Sequence, residues 1–262
     1  LRGELMEKKL LTIFGASGLV GSSILREALD RGYHVNGTLR DIEKQDRITR
    51  LKSLPSGNNA KFFLADMAEI SSLDNPLINS DAAIICCLIP TYKGFDGTPA
   101  KELDDEKGYN EIIKPTVDGC LNILRTAKRN NVKNILICSS TSSTNPIPPV
   151  SIKNELDHWS DEKEQCNSKK YTSAAKTYME KAAFKFCNEN NLRLSVFLPT
   201  GLYGPAVLPE HLRHNPFLWI KRVLEGGAPR HQKVPNDSAS LIHLQDLARL
   251  FLAAYEDPSA SG

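Results

Sequence analysis

Short runs of apolar residues alternate with longer amphipathic segments along most of the chain. The runs are continuous rather than alternating, which is typical of parallel strands that are buried on both faces of a sheet. This pattern predicts six strands, at Leu10–Phe14, Tyr33–Leu39, Ala60–Leu64, Ala82–Leu88, Asn134–Cys138 and Arg193–Phe197. Helical spacing of apolar residues between them predicts helices at about Gly18–Asp30, Asp41–Ser53, Asn110–Asn131 and Ala174–Asn190.

Strands that alternate with helices predict an α/β fold, a doubly wound parallel sheet of the Rossmann type. Ligands of such sheets bind in a crevice outside the carboxyl ends of the strands. Pro and Gly cluster in three further segments, which we interpret as long functional loops and not as linkers. These loops are Ile89–Pro99, Asn145–Pro149 and Pro199–Pro235.

Composition and charge narrow the class of protein. The chain has 262 residues, and 33 Lys and Arg against 31 Asp and Glu leave a net charge of +2, so nothing indicates a nucleic-acid partner. No apolar run approaches the roughly 18 residues that span a bilayer, and no secretory signal opens the chain. The six cysteines lack C-x-x-C spacing, and Cys86 and Cys87 fall in a predicted strand as core thiols. We expect a reduced cytoplasmic protein without a metal, a membrane partner or a nucleic-acid partner.

A glycine-rich segment, FGASGLVG at residues 14–21, joins the first predicted strand to the first predicted helix. Gly15 permits a tight turn, Gly18 lets the backbone approach a pyrophosphate, and Gly21 lets the helix pack closely. The amides at the start of the helix then face the anion. A plain strand-to-helix turn is the alternative. The predicted dinucleotide contacts here are Gly15, Ser17, Gly18, Leu19, Val20 and Gly21.

The G-x-x-G-x-x-G spacing resembles that of the extended short-chain dehydrogenase/reductase superfamily. Further segments along nearly the whole chain also resemble motifs of this superfamily. They are residues 37–41, 65–67, 110–119, 139–140, 176–183, 199–205 and 243–247. The resemblance is closest to the dihydroflavonol reductase and cinnamoyl-CoA reductase branch. The cinnamoyl-CoA type is disfavoured, because its N-W-Y-C-Y-G-K signature is absent from residues 169–176.

The resemblance implies a dinucleotide-binding domain at residues 6–198. Residues 199–262 then supply a small substrate lobe, interleaved with the last elements of the Rossmann domain. Family members usually run some tens of residues past the segment at 243–246. We therefore expect a chain that is either naturally short or incomplete at its C-terminus.

Arg40 follows the second predicted strand, where NAD-preferring sites carry an acidic residue. An Arg there can pair with a 2′-phosphate, so NADP(H) is the predicted cofactor. The alternative is that Arg40 is solvated and Asp41 reads the ribose. The resemblance places Asp66 near the adenine and implies further cofactor contacts at Met67, Cys87, Leu88, Lys176, Pro199, Thr200 and Gly201.

Hydride transfer to a carbonyl needs a proton donor. In this family the donor is a Tyr, a Lys four residues later lowers the pKa of that Tyr, and a Ser hydroxyl contacts the substrate oxygen. Ser140 and Lys176 match the Ser and the Lys. Tyr171 lies five residues before Lys176, which turns it about 100° from the expected direction on a regular helix. In one interpretation, a bulge or a non-helical start brings Tyr171 back to the site, and Ser140, Tyr171 and Lys176 form the predicted catalytic triad. In the other, Thr172 occupies the position four residues before Lys176, and the phenol is lost. Tyr178, two residues after Lys176, faces elsewhere.

The sequence signals for substrate contacts are weaker than those for cofactor contacts. The resemblance puts Asn145 and Tyr203 beside the substrate, although an Asn before Pro146 also fits a turn. His211, His214 and His231 flank the Pro-rich loop as possible substrate-loop residues.

The predicted function is NADPH-dependent reduction of a small-molecule ketone or aldehyde by a monomer or homodimer. The alternatives are a dinucleotide-binding sensor or scaffold without turnover, and a nucleotide-sugar epimerase or dehydratase.

Overall fold

The computed structural model describes residues 9–40, 45–213, 215–226, 232 and 240–262. Its centre is a six-stranded parallel sheet with the strand order β3-β2-β1-β4-β5-β6. The strands are β1 (Leu10–Phe14), β2 (His34–Leu39), β3 (Ala60–Leu64), β4 (Ala82–Ile85), β5 (Asn134–Cys138) and β6 (Arg193–Phe197). The predicted fold class is therefore confirmed, and four of the six strands have the predicted bounds. β4 is shorter than predicted and ends at Ile85.

Helices cover both faces of this sheet. They are α1 (Leu19–Asp30), α2 (Gln45–Lys52), α3 (Asp74–Leu77), α4 (Asp105–Gly108), α5 (Lys114–Arg129), α6 (Glu162–Asn167), α7 (Tyr171–Glu189), α8 (Asn215–Glu225) and α9 (Leu244–Glu256). A five-residue π-helical turn, Tyr109–Ile113, connects α4 to α5.

Two apolar layers hold the sheet between the helices. Leu11 and Ile13 of β1 belong to one buried cluster, which includes residues of α1 and α9. Phe14 of the same strand belongs to the other, which includes residues of α5 and α7. Successive strand residues point to opposite faces, so the mainly apolar β1 contributes side chains to both layers.

The C-terminal part adds a second, two-stranded parallel sheet, formed by β7 (Gly201–Tyr203) and β8 (Leu241–His243). α9 follows β8 directly and packs against α1, and its residue Phe251 is fully buried. The division of the chain at residue 198 stays a prediction. Asp41, His214, His231 and Pro235 lie outside the described residues.

Candidate functional site

The carboxyl ends of the strands meet along one edge of the sheet, as parallel pairing requires. Gly15 follows β1, Cys87 comes shortly after β4, Ser140 follows β5 and Pro199 follows β6. The strand order reverses between β1 and β4, because β2 lies on one side of β1 and β4 on the other. Open α/β sheets bind their ligands at this switch point.

The glycine-rich turn fills the switch point. Gly15 has a φ of +83°, and a Cβ there would lie 3.1 Å from the amide nitrogen of Cys87, so only glycine fits without strain. The Gly18 amide donates to the Gly15 carbonyl oxygen at 2.9 Å, which closes the turn. A Cβ on Gly21 would lie 2.2 Å from the same oxygen, so this glycine lets α1 approach the turn.

α1 then begins at Leu19 with no acidic residue in its first turn. The first amides of a helix have no carbonyl partner within it and carry a partial positive charge. Leu19 and Val20 therefore present two such amides at the crevice. Ser17 makes no side-chain hydrogen bond among the described residues, so its hydroxyl is available to a ligand.

The predicted adenine-side residues lie at the ends of β2 and β3. Arg40 is exposed directly after β2. Asp66 is exposed, and its Oδ1 accepts from the Ala68 amide at 2.9 Å. Met67 is half-buried and packs so closely on Gly119 that a Cβ there would lie 2.5 Å from the Met67 sulfur.

The thiols after β4 lie at the floor of the crevice. Cys86 and Cys87 are half-buried and pack on the two core clusters, one on each. Burial raises the pKa of Cys87 to about 12, so this thiol is protonated and unreactive at neutral pH. All six cysteines are free.

Ser140 lies at the end of β5 and opens onto a cavity of about 630 Å³. Its Oγ accepts from the Ser142 amide at 3.2 Å and caps a short 3-10 turn, Thr141–Ser143. The hydroxyl proton of Ser140 has no acceptor among the described residues, so it can be donated to a bound oxygen. Pro199, Thr200 and Gly201, which are predicted cofactor contacts, also line this cavity.

Lys176 reaches the carboxyl edge of the sheet from α7. Its side chain is buried, and its Nζ donates to the carbonyl oxygen of Leu88 at 2.5 Å. Burial lowers the pKa of this ammonium, while the nearby groups Cys138 and Glu180 oppose the shift. Ser140 and Lys176 are thus brought to one edge of the sheet.

Tyr171 is not brought to this edge. Its ring is fully buried against Gly108, in a cluster with Leu103 and Ile112, and its hydroxyl donates to Oδ1 of Asp105 at 2.7 Å. Burial and the Asp105 carboxylate raise its pKa, which makes the phenol a poorer proton donor.

The bulge expected near Tyr171 is absent. α7 runs as regular α-helix from Tyr171 to Glu189. Five residues at about 100° each leave Tyr171 about 140° from Lys176 around the helix axis. The register position four residues before Lys176 is occupied by Thr172, which is half-buried. Tyr178 packs edge-to-face on Tyr109 at a centroid separation of 6.4 Å.

The Tyr171→Phe variant is expected to change stability rather than turnover. The substitution keeps the ring but leaves the Asp105 carboxylate without its donor, so we expect a loss of roughly 1–2 kcal/mol in the free energy of unfolding. The rate of the NADPH-dependent reduction predicted from the sequence should stay within about twofold of the wild type, because the Tyr171 hydroxyl is engaged by Asp105 and does not act as the general acid. Urea unfolding and steady-state assays measure the two effects. A rate loss of about 100-fold with unchanged stability would restore Tyr171 to the mechanism.

Glu180 is a site-neighbouring residue that the sequence interpretation missed. It lies one helical turn after Lys176, is only 2% exposed, and accepts from the Ser139 hydroxyl, next to Ser140. Burial raises the pKa of Glu180 to about 7, although the Ser139 and Ser143 hydroxyls oppose the shift. Its side chain also lines a smaller cavity with Trp159. The signal available in the sequence was its spacing of four from Lys176.

The predicted substrate contacts have different surroundings. Asn145 is exposed at the rim of the 630 Å³ cavity, where its Oδ1 accepts from Lys153 Nζ at 2.5 Å and its Nδ2 donates to the Thr141 carbonyl oxygen at 3.1 Å. Tyr203 is half-buried at the end of β7. His211 is buried and contacts the glycine-rich turn, with its Nε2 3.0 Å from the Ser17 carbonyl oxygen.

Two features are absent from the described part of the chain. No helix there has the length and apolar character that crossing a bilayer requires. The same residues hold no cluster of three or more His, Cys, Asp or Glu side chains that fits a metal ion.

Among curated proteins, the chain is similar to dihydroflavonol 4-reductase of Callistephus chinensis, with 30% identity over 256 residues. It is 27% identical over 264 residues to an anthocyanidin reductase ((2S)-flavan-3-ol-forming) of Vitis vinifera. These matches cover 95% and 97% of this chain, but 66% and 75% of the two relatives. The chain thus spans about two thirds to three quarters of their length.

Solved structures show the same fold at lower identity. Vestitone reductase from alfalfa (Medicago sativa L.) has a TM-score of 0.72 and 21% identity, and the match covers 97% of this chain and 75% of that one. Gre2 from Candida albicans in complex with NADPH has a TM-score of 0.74 and 20% identity, with coverage of 97% and 76%. The relatives whose sequences match are oxidoreductases. A family model described as the NAD dependent epimerase/dehydratase family matches residues 11–262, and the chain belongs to that family.

Proposed function

We propose that the protein is an NADPH-dependent reductase of small ketones or aldehydes. The observation that carries the proposal is the placement of two groups at the sheet edge that also holds the glycine-rich turn. Ser140 follows β5, and the Lys176 ammonium donates to the Leu88 carbonyl oxygen after β4. Reductase names among the relatives support it.

The residues of the turn fit a dinucleotide. The close approach at Gly15, the amides of Leu19 and Val20, and the absence of acidic residues from the first turn of α1 favour a pyrophosphate. Asp66 and Met67 flank the adenosine side, while Cys87, Leu88 and Lys176 flank the nicotinamide side. The bound cofactor supplies a hydride to the substrate carbonyl.

The chain's own groups then handle the oxygen. Ser140 donates its unpaired hydroxyl hydrogen to the carbonyl oxygen and so orients it. The Lys176 ammonium stabilises negative charge that develops nearby, in a buried setting where that charge is poorly screened. Since Thr172 carries no phenol, the proton on the product comes through Ser140 from solvent in the open cavity. Asn145 and Tyr203 contact the substrate.

Arg40→Ala tests the choice of cofactor. Arg40 is exposed at the end of β2 and has no carboxylate partner among the described residues, so it is available to a 2′-phosphate. Loss of a charge-assisted pair should weaken NADPH binding by roughly 1–3 kcal/mol and leave NADH binding unchanged. Calorimetric titration of both nucleotides on both proteins measures this. Equal affinity of the wild type for NADH and NADPH would contradict the NADP assignment.

A second candidate is a dinucleotide-binding sensor without turnover. The engagement of the Tyr171 hydroxyl by Asp105 favours it, because this phenol is then not available beside Lys176. The two candidates differ in single-turnover measurements with a panel of aldehydes and ketones. A reductase oxidises bound NADPH when the substrate is added, whereas a sensor binds NADPH and does not.

A further inference from the structure

His211 connects the C-terminal part of the chain to the glycine-rich turn. It lies in the 3-10 turn Pro209–Arg213 and is 7% exposed. The segment is anchored on both sides. Leu208 is buried with the core cluster beside α1, and Glu210 pairs with Arg47 of α2 at 2.5 Å.

The hydrogen bonds of the ring determine where its proton lies. The Leu208 amide donates to Nδ1 at 3.4 Å, so Nδ1 is the unprotonated nitrogen. Nε2 then carries the hydrogen and donates to the carbonyl oxygen of Ser17 at 3.0 Å. Burial lowers the pKa of His211, which agrees with a neutral ring.

The Ser17 carbonyl belongs to the peptide that leads into α1. The amide on the other side of that peptide, from Gly18, donates to the Gly15 carbonyl oxygen. Both ends of the peptide are therefore fixed. Without the His211 donor, rotation of this peptide would turn a carbonyl dipole toward the anion that the first amides of α1 attract.

We propose that His211 is a positioning residue for the dinucleotide, which holds the Ser17 carbonyl away from the pyrophosphate. The inference rests on the proposed binding of NADP(H).

His211→Asn and His211→Gln separate this role from simple packing. An Asn oxygen can still accept from the Leu208 amide, but the side chain is too short to reach Ser17. A Gln amide extends as far as Nε2 and can donate to Ser17. We expect the Kd of NADPH to rise about 10-fold in His211→Asn and to stay within about twofold of the wild type in His211→Gln.

A second ligand and a control variant distinguish a local effect at the pyrophosphate from a general distortion of the site. Adenosine 2′-monophosphate lacks a pyrophosphate, so its Kd should be the same in all the variants. His34→Asn changes a His at the start of β2, at the opposite end of the strands from the crevice, and should leave both affinities unchanged. Thermal unfolding of each variant confirms that it is folded.

Three results would overturn the inference. The first is unchanged NADPH affinity in a folded His211→Asn variant. The second is an equal loss of affinity for adenosine 2′-monophosphate, which would indicate general distortion. The third is an equal loss in His211→Gln. If the wild type itself fails to bind NADPH, the proposed function is overturned, and the inference with it.

Discussion

Thr172→Tyr is expected to raise the rate of NADPH-dependent carbonyl reduction by about 10²–10⁴-fold, the usual contribution of a positioned general acid. Residue 172 precedes Lys176 by four positions on a regular helix, so a phenol there shares the face of α7 that carries the ammonium. The Thr172 side chain is half-buried and forms no hydrogen bond among the described residues, so its replacement breaks none there.

Thr172→Phe is the matched control, since it adds the same ring without the hydroxyl. It should turn over no faster than the wild type. Single-turnover oxidation of NADPH, followed at 340 nm with an aldehyde and ketone panel, measures both variants. If Thr172→Tyr is no faster than Thr172→Phe, proton donation does not limit this site, and the sensor becomes the better interpretation.

Gly21→Ala is expected to abolish dinucleotide binding and to destabilise the fold. The added Cβ would lie 2.2 Å from the Gly15 carbonyl oxygen and 2.9 Å from its carbon, and both are backbone atoms of a turn that cannot shift cheaply. α1 would have to move away from the turn. We expect a loss of about 2–4 kcal/mol in the free energy of unfolding and at least a 100-fold rise in the Kd of NADPH.

Gly18→Ala is the comparison for that variant. Its Cβ would lie 3.2 Å from the same oxygen, and Gly18 has an ordinary φ of −76°, so the fold should be nearly as stable as the wild type. Gly18→Val should keep the fold and block the dinucleotide, because its branched side chain would project where we propose that the pyrophosphate binds. Urea unfolding and calorimetry on the three variants measure both quantities. Wild-type stability in Gly21→Ala would contradict the close approach of α1 to the turn.

The sequence by itself determined the sheet and the glycine-rich turn. Continuous apolar runs and helical periodicity are local patterns, and burial on both faces of a parallel sheet leaves few other ways to satisfy them. The need for glycine at positions 15 and 21 could be predicted for a similar reason. It comes from steric limits on the backbone around one short turn. The neighbouring motifs also put Ser140 after the fifth strand and Lys176 on a helix, where the structure has them, and their catalytic roles stay predictions.

Only the tertiary structure decided which side chains surround these residues. The sequence left open whether Tyr171 or Thr172 faces the crevice, and the outcome depended on Asp105 and Gly108, which receive the Tyr171 side chain from another part of the chain. His211 meets Ser17 across 194 residues. Such contacts are set by how helices and loops pack once the sheet has formed. A side chain's hydrogen-bond partner is therefore not encoded in its local pattern, even where its secondary structure is.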